Sequence, residues 1–201
     1  MTRAALLPAV LAAAVASGQT QVTPSGSPVA TEALAICIRA AKAPAAARPD
    51  LLRRSVDLAE RAVAENDQDP VAHFAVFCSL GRRLQGTGAG FGAVMTLRRA
   101  QRAIDRALAL SPDYTDALAA KGAMLVALPT IMGGSPSEGV RLLQRALAAD
   151  ETNVEVRLHL ARAFAAQGRA EQARAEAERA LTLADPESAA EARALLAELG
   201  R

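Results

Sequence analysis

The feature that most constrains this sequence is the regular spacing of small residues within helical patterns. Ala107 precedes Gly122 by 15 residues, and Ala146 precedes Ala161 by the same interval. Ala146 also precedes Ala180 by 34 residues. Two helices approach closely only where Gly or Ala leaves room for a large neighbour. The spacing therefore predicts helix pairs that stack on one another and bury their apolar faces together.

The composition favours helices over a sheet. Fifty of the 201 residues are Ala, whereas aromatic residues make up 2% and Trp is absent. A sheet usually needs more β-branched and aromatic side chains, while Ala, Leu, Arg and Glu favour helix. The net charge of +2 is spread along the chain. Such a balance, with few aromatics for base stacking, excludes nucleic acid as an expected partner.

Three stretches share one pattern, in which a small residue follows one large residue by four positions and precedes another by three. The small residues are Gly81, Gly122 and Ala161. With the 34-residue period, this pattern resembles the tetratricopeptide repeat, a helix–turn–helix unit. The segment Ala107-Leu-Ala-Leu-Ser-Pro112 resembles the end of such a repeat. The resemblance implies an all-α fold, an α-solenoid of about four helix pairs over residues 31–201, with Glu187–Leu199 as a capping helix.

The N-terminus is expected to lie outside this domain. Residues 1–16 combine one basic residue, a short apolar run and the sequence Ala14-Val15-Ala16, which together are typical of a signal peptide. Residues 17–30 are rich in Ser, Gly and Pro and predict a flexible leader. We therefore expect a periplasmic or secreted protein with no transmembrane segment after signal removal. The alternative is an ordinary N-terminal helix.

The resemblance implies a concave face formed by the first helix of each repeat, and polar residues fall at several of its positions. The family's clamp for acidic peptide ends uses Lys and Asn, which are missing at these positions. The remaining surface is mostly small and apolar, and suits a protein or peptide segment. Arg can bind a carboxylate of that segment through two hydrogen bonds, or can be simply solvated. The candidate partner-binding residues are Arg82, Gln85, Asp116, Glu155 and Arg162.

Two glycine-rich insertions, Gly86–Gly92 and Pro129–Pro136, separate the helices of their repeats. In a stacked array such insertions emerge on the same rim. They can be permissive turns, apolar contact points for a partner, or anion sites at helix N-termini. The candidate rim residues are Gly88, Gly90, Phe91, Met132, Gly133 and Gly134.

The second insertion suggests an alternative function. The stretch from Leu128 to Glu138 resembles a loop of periplasmic tetratricopeptide proteins associated with TRAP transporters, the T-component group. That resemblance implies a small-ligand or lipid-binding helper of a transport system. The scaffold that binds proteins remains the first expectation.

Residues for catalysis or metal binding are not apparent. Neither His73 nor His159 has a Cys or a second His at a spacing typical of metal ligands. No nucleophile, base and orienting group can be assembled from the pattern, so we expect neither an enzyme nor a cofactor. Cys37 and Cys78 fall in the first helices of adjacent repeats. They predict either a disulfide, as an oxidising compartment would allow, or two buried free thiols.

Overall fold

The computed structural model describes residues 24–85 and 91–200. Within these ranges the chain forms nine α-helices, one short 3₁₀ turn (Thr130–Met132) and no strand. This confirms the predicted all-α helical repeat fold. The helices are α1 (Pro28–Lys42), α2 (Arg48–Glu65), α3 (Pro70–Gln85), α4 (Phe91–Leu110), α5 (Thr115–Ala127), α6 (Pro136–Ala149), α7 (Val154–Ala166), α8 (Ala170–Leu183) and α9 (Pro186–Leu199).

The described chain divides into two compact units, here called the first unit (residues 24–117) and the second unit (residues 118–200). In the first unit, α1 packs on α2 and α3, α2 packs on α3, and α3 packs on α4. In the second unit, α7 packs on α6 and α8, while α9 packs on both α7 and α8. Helix α9 therefore packs on the helix pair before it, as predicted for the capping helix.

Helix α1 begins three residues earlier than the sequence predicts, at Pro28 rather than at residue 31. The Ser27 hydroxyl accepts a hydrogen bond from the Ala30 amide at 3.2 Å, and Pro28 suits the first turn because its missing N–H needs no partner. The Ser27 amide also donates to Asp69 Oδ2 at 2.8 Å. The predicted signal peptide and the leader as far as residue 23 lie outside the described residues.

Close helix approach explains the small residues of the repeat. A Cβ on Gly122 would lie 2.8 Å from Leu143 Cγ and 3.0 Å from the Gly139 carbonyl oxygen. In the second unit the core combines Ala161, Ala177 and Ala180 with Leu158 and Leu195. None of the helices in the described ranges is long and apolar enough to cross a membrane.

Candidate functional site

Three of the residues predicted for the concave face, Arg82, Gln85 and Asp116, belong to the first unit. Arg82 and Gln85 lie on one face of α3. Cys78, Arg82 and Gln85 are spaced by four and three residues, so they share that face. Arg82 is only 6% exposed, an unusual degree of burial for a guanidinium. Its guanidinium lies beside the thiols of Cys37 and Cys78. The sequence left open that Arg82 is a solvated surface residue. Its burial and its contact with the two thiols exclude that alternative.

The two thiols differ in acidity. Cys37 Sγ donates to Cys78 Sγ across 2.9 Å, and both side chains are buried. This hydrogen bond and the positive charge of Arg82 lower the pKa of Cys78, although burial acts in the opposite direction. The same hydrogen bond, together with burial, raises the pKa of Cys37 well above its ordinary value. Cys78 is therefore the sulfur that carries negative charge more readily.

Asp116 and Tyr114 lie where the chain enters α5. Asp116 is 6% exposed, and burial raises the pKa of its carboxyl to about 6. Tyr114 is fully buried, with its ring packed edge to face on Phe74 at 5.0 Å between centroids. Burial and the nearby Asp116 charge raise the pKa of the Tyr114 hydroxyl. Ionisation of the Asp116 carboxyl or of the Tyr114 hydroxyl is therefore costly.

Two of these buried polar groups have no hydrogen-bond partner within the described residues. They are the Tyr114 hydroxyl and the Gln85 Nε2 amide. Buried polar atoms are normally paired with protein or water. We call Cys78, Arg82, Gln85, Tyr114 and Asp116 the polar cluster. Sequence reasoning named Arg82, Gln85 and Asp116 as partner-binding residues and Cys78 as a possible disulfide partner, but missed Tyr114.

The other two predicted concave residues, Glu155 and Arg162, lie on α7 in the second unit. Arg162 Nη2 pairs with Glu191 Oε1 of α9 at 2.6 Å, with both side chains about a third to a half exposed. Glu155 Oε1 lies 3.9 Å from His159 Nε2. Burial, assisted by the Arg162 charge, lowers the pKa of His159 to about 4, so this imidazole is neutral at pH 7. Arg162 thus has a carboxylate partner within its own unit.

The candidate rim residues differ in how the structure explains them. Gly88 and Gly90 lie outside the described residues. Phe91 opens α4 with 84% of its surface exposed. Gly133 has a φ of 90° and ends the 3₁₀ turn, while a Cβ on Gly134 would collide with the Leu128 carbonyl oxygen. These two glycines are therefore required by the local backbone.

Met132 is 37% exposed, and its neighbour Ile131 is 95% exposed. Both side chains are large and apolar, and both belong to the second unit. An apolar contact with a partner is consistent with this exposure.

Sequence reasoning missed a cavity of about 490 Å³ between α6, α7 and α8 of the second unit. Arg157 lines this cavity. In the repeat pattern it stands where the other two stretches have a large apolar residue, and this exception was the signal in the sequence that could have indicated the cavity. The Arg157 guanidinium pairs with Glu176 Oε2 at 2.7 Å and also donates to the Glu151 carbonyl oxygen. The remaining lining residues include Gln144, Leu147, Ala148, Leu160, Phe164, Gln172, Ala175 and Arg179.

Comparisons with known proteins agree with this architecture. A family model described as tetratricopeptide repeat matches residues 131–199. MamA 41-end from Desulfovibrio magneticus RS-1 is similar in structure, with a TM-score of 0.55 and 18% identity over 88% of this chain and 98% of that one. A MamA RS-1 double mutant gives a TM-score of 0.55 and 17% identity, over 88% of this chain and 97% of that one.

A thermophilic tetratricopeptide repeat protein of Thermus thermophilus is also similar. Its TM-score is 0.50, with 18% identity over 83% of this chain and 98% of that one. No curated protein matches the sequence. None of these findings bears on the TRAP T-component resemblance, which stays a prediction. Residues 131–199 of the chain match the tetratricopeptide repeat family, and the described residues as a whole have the fold of a tetratricopeptide repeat protein.

Proposed function

We propose that this chain is an exported, non-catalytic scaffold that binds a segment of another protein through the polar cluster of its first unit. Tetratricopeptide repeats form a stable framework that presents side chains for contact. Arg82, Gln85 and Asp116 occupy the positions that the family resemblance assigns to the binding face. Glu155 and Arg162 occupy the corresponding positions of the second unit.

The observation that carries the proposal is the set of buried polar groups whose hydrogen-bonding capacity is unfilled. Gln85 Nε2 and the Tyr114 hydroxyl lack partners within the described residues. Leaving such a group buried and unsatisfied costs about 1–3 kcal/mol. A bound segment would offer a backbone carbonyl oxygen to Gln85, which lies at a partly exposed position, and so would recover this free energy there.

The charges of the polar cluster indicate which segment would bind. Asp116 bears a carboxyl that is disfavoured as an anion by burial alone, so a Lys or Arg of the partner would stabilise its charged form. Arg82 favours a carboxylate, which it can hold through two hydrogen bonds. The proposed ligand is therefore a segment with one basic and one acidic side chain.

Arg162 in the second unit is expected to contribute little to binding. Its guanidinium already pairs with Glu191 at 2.6 Å, and a partner carboxylate would have to displace that bond. Exposed ion pairs of this kind contribute about 0–1 kcal/mol. A ligand that gained this contact would therefore gain little net free energy.

The exposed apolar residues of the rim provide secondary contacts in the proposal. Phe91 offers apolar burial to a segment bound on the first unit, and Met132 offers it separately to a segment bound on the second unit. Gly133 and Gly134 shape the turn that presents Met132, and are not themselves contact residues. Fully burying such a side chain contributes about 1.5–3 kcal/mol.

The binding test compares the wild-type chain with Asp116→Asn and Gln85→Ala variants as baits in an envelope extract. Asp57→Asn and Gln68→Ala are controls, since both replace exposed side chains of the same types in the first unit. A protein captured stoichiometrically by wild type is identified by mass spectrometry, and its affinity is then measured with purified components.

We expect the Asp116 and Gln85 variants each to weaken binding about tenfold, equivalent to about 1.4 kcal/mol. The controls should bind within about twofold of wild type. Unchanged affinity in both cluster variants would show that the binding face is elsewhere. Co-purification of a lipid or solute instead of a protein would favour the transport-helper alternative.

Export is tested separately. Residues 1–16 support it by their charge and apolar pattern. N-terminal sequencing of protein from the envelope fraction should find a chain that begins at Ser17. A chain that retains Met1 and remains with the cytoplasmic fraction would contradict export without affecting the binding proposal.

A further inference from the structure

We propose that Cys37 and Cys78 are a redox site, in which thiol–disulfide exchange with a low-molecular-weight disulfide forms an intramolecular bond that ties α1 to α3, with Cys78 as the attacking sulfur. The two sulfurs lie 2.9 Å apart, and both residues are buried on helices that pack directly on each other. A disulfide has a sulfur separation of about 2.05 Å. Bond formation therefore needs only a small movement of two side chains.

The framework around the pair keeps the helices together whether or not the bond is present. The Ser55 hydroxyl donates to the Ala33 carbonyl oxygen of α1 at 2.8 Å and lies 2.6 Å from the Ser79 hydroxyl of α3. The Ser27 amide, just before α1, donates to Asp69, just before α3. Both states of the pair can therefore occur in the same fold, as a reversible redox site requires.

Arg82 distinguishes the two sulfurs. It lies four residues after Cys78 on α3, one turn along the same face, so it stays near Cys78 even when α1 moves away. A neighbouring guanidinium stabilises the thiolate, which is the reactive form of cysteine. The hydrogen bond donated by Cys37 acts in the same direction. Cys37 has no equivalent cation one turn away on α1, where the corresponding positions are Ala33 and Ala41.

The exchange proceeds in two balanced steps. The Cys78 thiolate attacks one sulfur of the external disulfide, forms a mixed disulfide and releases one thiolate. Cys37 then loses its proton and attacks Cys78 Sγ, which forms the intramolecular bond and releases the second thiolate. The two protons from the cysteines end on the two released thiols. The protein is oxidised by two electrons, and the external disulfide is reduced to two thiols.

Access to the site limits when the exchange occurs. Cys37 is fully buried and Cys78 is 5% exposed. A disulfide reagent therefore reaches Cys78 while α1 is transiently separated from α3 by local opening. Stabilisation of the native fold should slow the exchange without preventing it.

The test uses the full chain equilibrated in glutathione buffers of graded redox ratio, followed by acid quenching, alkylation of free thiols and intact-mass measurement. In oxidising buffer we expect a loss of about 2 Da, the two hydrogens removed, with neither cysteine alkylated. Reductant should restore both thiols, and the oxidised chain should have a Tm several degrees higher. Two free thiols at every ratio, or only intermolecular disulfides, would overturn the proposal.

The role of Cys78 is tested with Cys37→Ala and Cys78→Ala variants, whose folding is checked by circular dichroism. Cys78 in the first variant should form the glutathione adduct about tenfold faster than Cys37 in the second. Adding Arg82→Met to Cys37→Ala should move the pH profile of the adduct rate to higher pH, whereas Arg82→Lys should largely restore it. Equal rates for the two cysteines, or an unshifted profile, would contradict the assignment of Cys78. If neither variant folds, the redox titration of the wild-type chain still decides whether the pair exists.

Discussion

Gly122 of α5 and Gly139 of α6 lie so close together that a Cβ on Gly139 would stand 2.8 Å from the Gly122 carbonyl oxygen. The same Cβ would lie 2.6 Å from Val126 Cγ2. Glycine is otherwise a poor helix residue, about 1 kcal/mol worse than Ala. Its presence at facing positions is therefore explained by the approach of the two helix backbones.

The first prediction follows from this contact. Gly139→Ala should lower the free energy of unfolding by about 1–3 kcal/mol, because the added methyl group forces the helices apart. Gly92→Ala is the matched control, since a Cβ there meets nothing within 4 Å and α4 gains a better helix former. The control should be neutral or stabilising by up to about 1 kcal/mol. Urea unfolding followed by circular dichroism measures both; equal effects would contradict the packing argument.

This contact also shows why the fold was predictable from sequence. Small residues at 15- and 34-residue intervals predict where two helices contact closely, because a larger side chain would clash there. The start of α1 was less predictable. Ser27 and Pro28 are local signals for a helix start, but the Ser/Pro-rich composition does not reveal the contact of the Ser27 amide with Asp69, 42 residues away.

The candidate site was predictable only in part. Repeat position predicted Arg82 and Asp116 as partner-binding residues, but their burial depends on how tightly neighbouring helices pack. The 2.9 Å approach of Cys37 to Cys78 depends on the register of α1 against α3, for which the sequence pattern was weakest. The cavity beside Phe164 is formed by three helices together, so no single motif encodes it.

The second prediction concerns three hydroxyl contacts, two of which link α2 to α1 and to α3. Ser55 Oγ lies 2.8 Å from the Ala33 carbonyl oxygen and 2.6 Å from Ser79 Oγ, which lies 2.7 Å from the Ala75 carbonyl oxygen. The two hydroxyl groups have only two protons to donate, so at most two of these three contacts are hydrogen bonds at one time. Ser55→Ala should cost about 1–2 kcal/mol, since it removes a buried hydrogen bond.

The double variant Ser55→Ala/Ser79→Ala should be less destabilised than the sum of the two single variants, because no lone buried hydroxyl remains. Thr182→Ala is a control, since its hydroxyl bonds the Glu178 carbonyl oxygen at an exposed position. It should change stability by less than about 0.5 kcal/mol. Strict additivity of the two serine variants would show that their hydroxyls act independently.

The third prediction compares a buried ion pair with an exposed one. Arg157 and Glu176 are 9% and 16% exposed, whereas Arg53 and Asp50 are 69% and 76% exposed. Arg157→Met should cost about 3 kcal/mol or more, because it leaves a largely buried carboxylate without its cation. Arg53→Met should cost less than about 1 kcal/mol. Chemical unfolding of both variants checks this, and similar losses would refute the distinction.

The fourth prediction is a pH dependence from Asp116 in the first unit. Its folded pKa of about 6 lies above the ordinary value of 3.8. The folded state therefore binds the proton more tightly than the unfolded state, and the contribution to stability is lost as pH rises from about 4 through 6. Asp116→Asn should remove this loss, and should stabilise the chain at pH 7 by up to about 3 kcal/mol.

Unfolding measured in urea at several pH values tests the effect of Asp116. Asp57→Asn controls for the change of residue type at an exposed position. If Asp116→Asn is destabilising at pH 7, a cation or donor satisfies the carboxylate in the folded protein, and the proposed complementarity with a basic partner side chain is wrong.

The fifth prediction has the opposite sign and concerns the second unit. The folded pKa of His159 is lowered from 6.5 to about 4 by burial and by Arg162. The unfolded state therefore binds the proton more tightly, and stability is lost as pH falls from about 6.5 to 4, by up to about 3 kcal/mol. In wild type the gain from Asp116 offsets the loss from His159, so His159→Gln should make stability rise as pH falls, whereas Asp116→Asn should expose the full loss from His159. Circular dichroism unfolding at pH 4, 5, 6 and 7 separates the two effects, and a His159→Gln profile parallel to wild type would exclude a buried neutral imidazole.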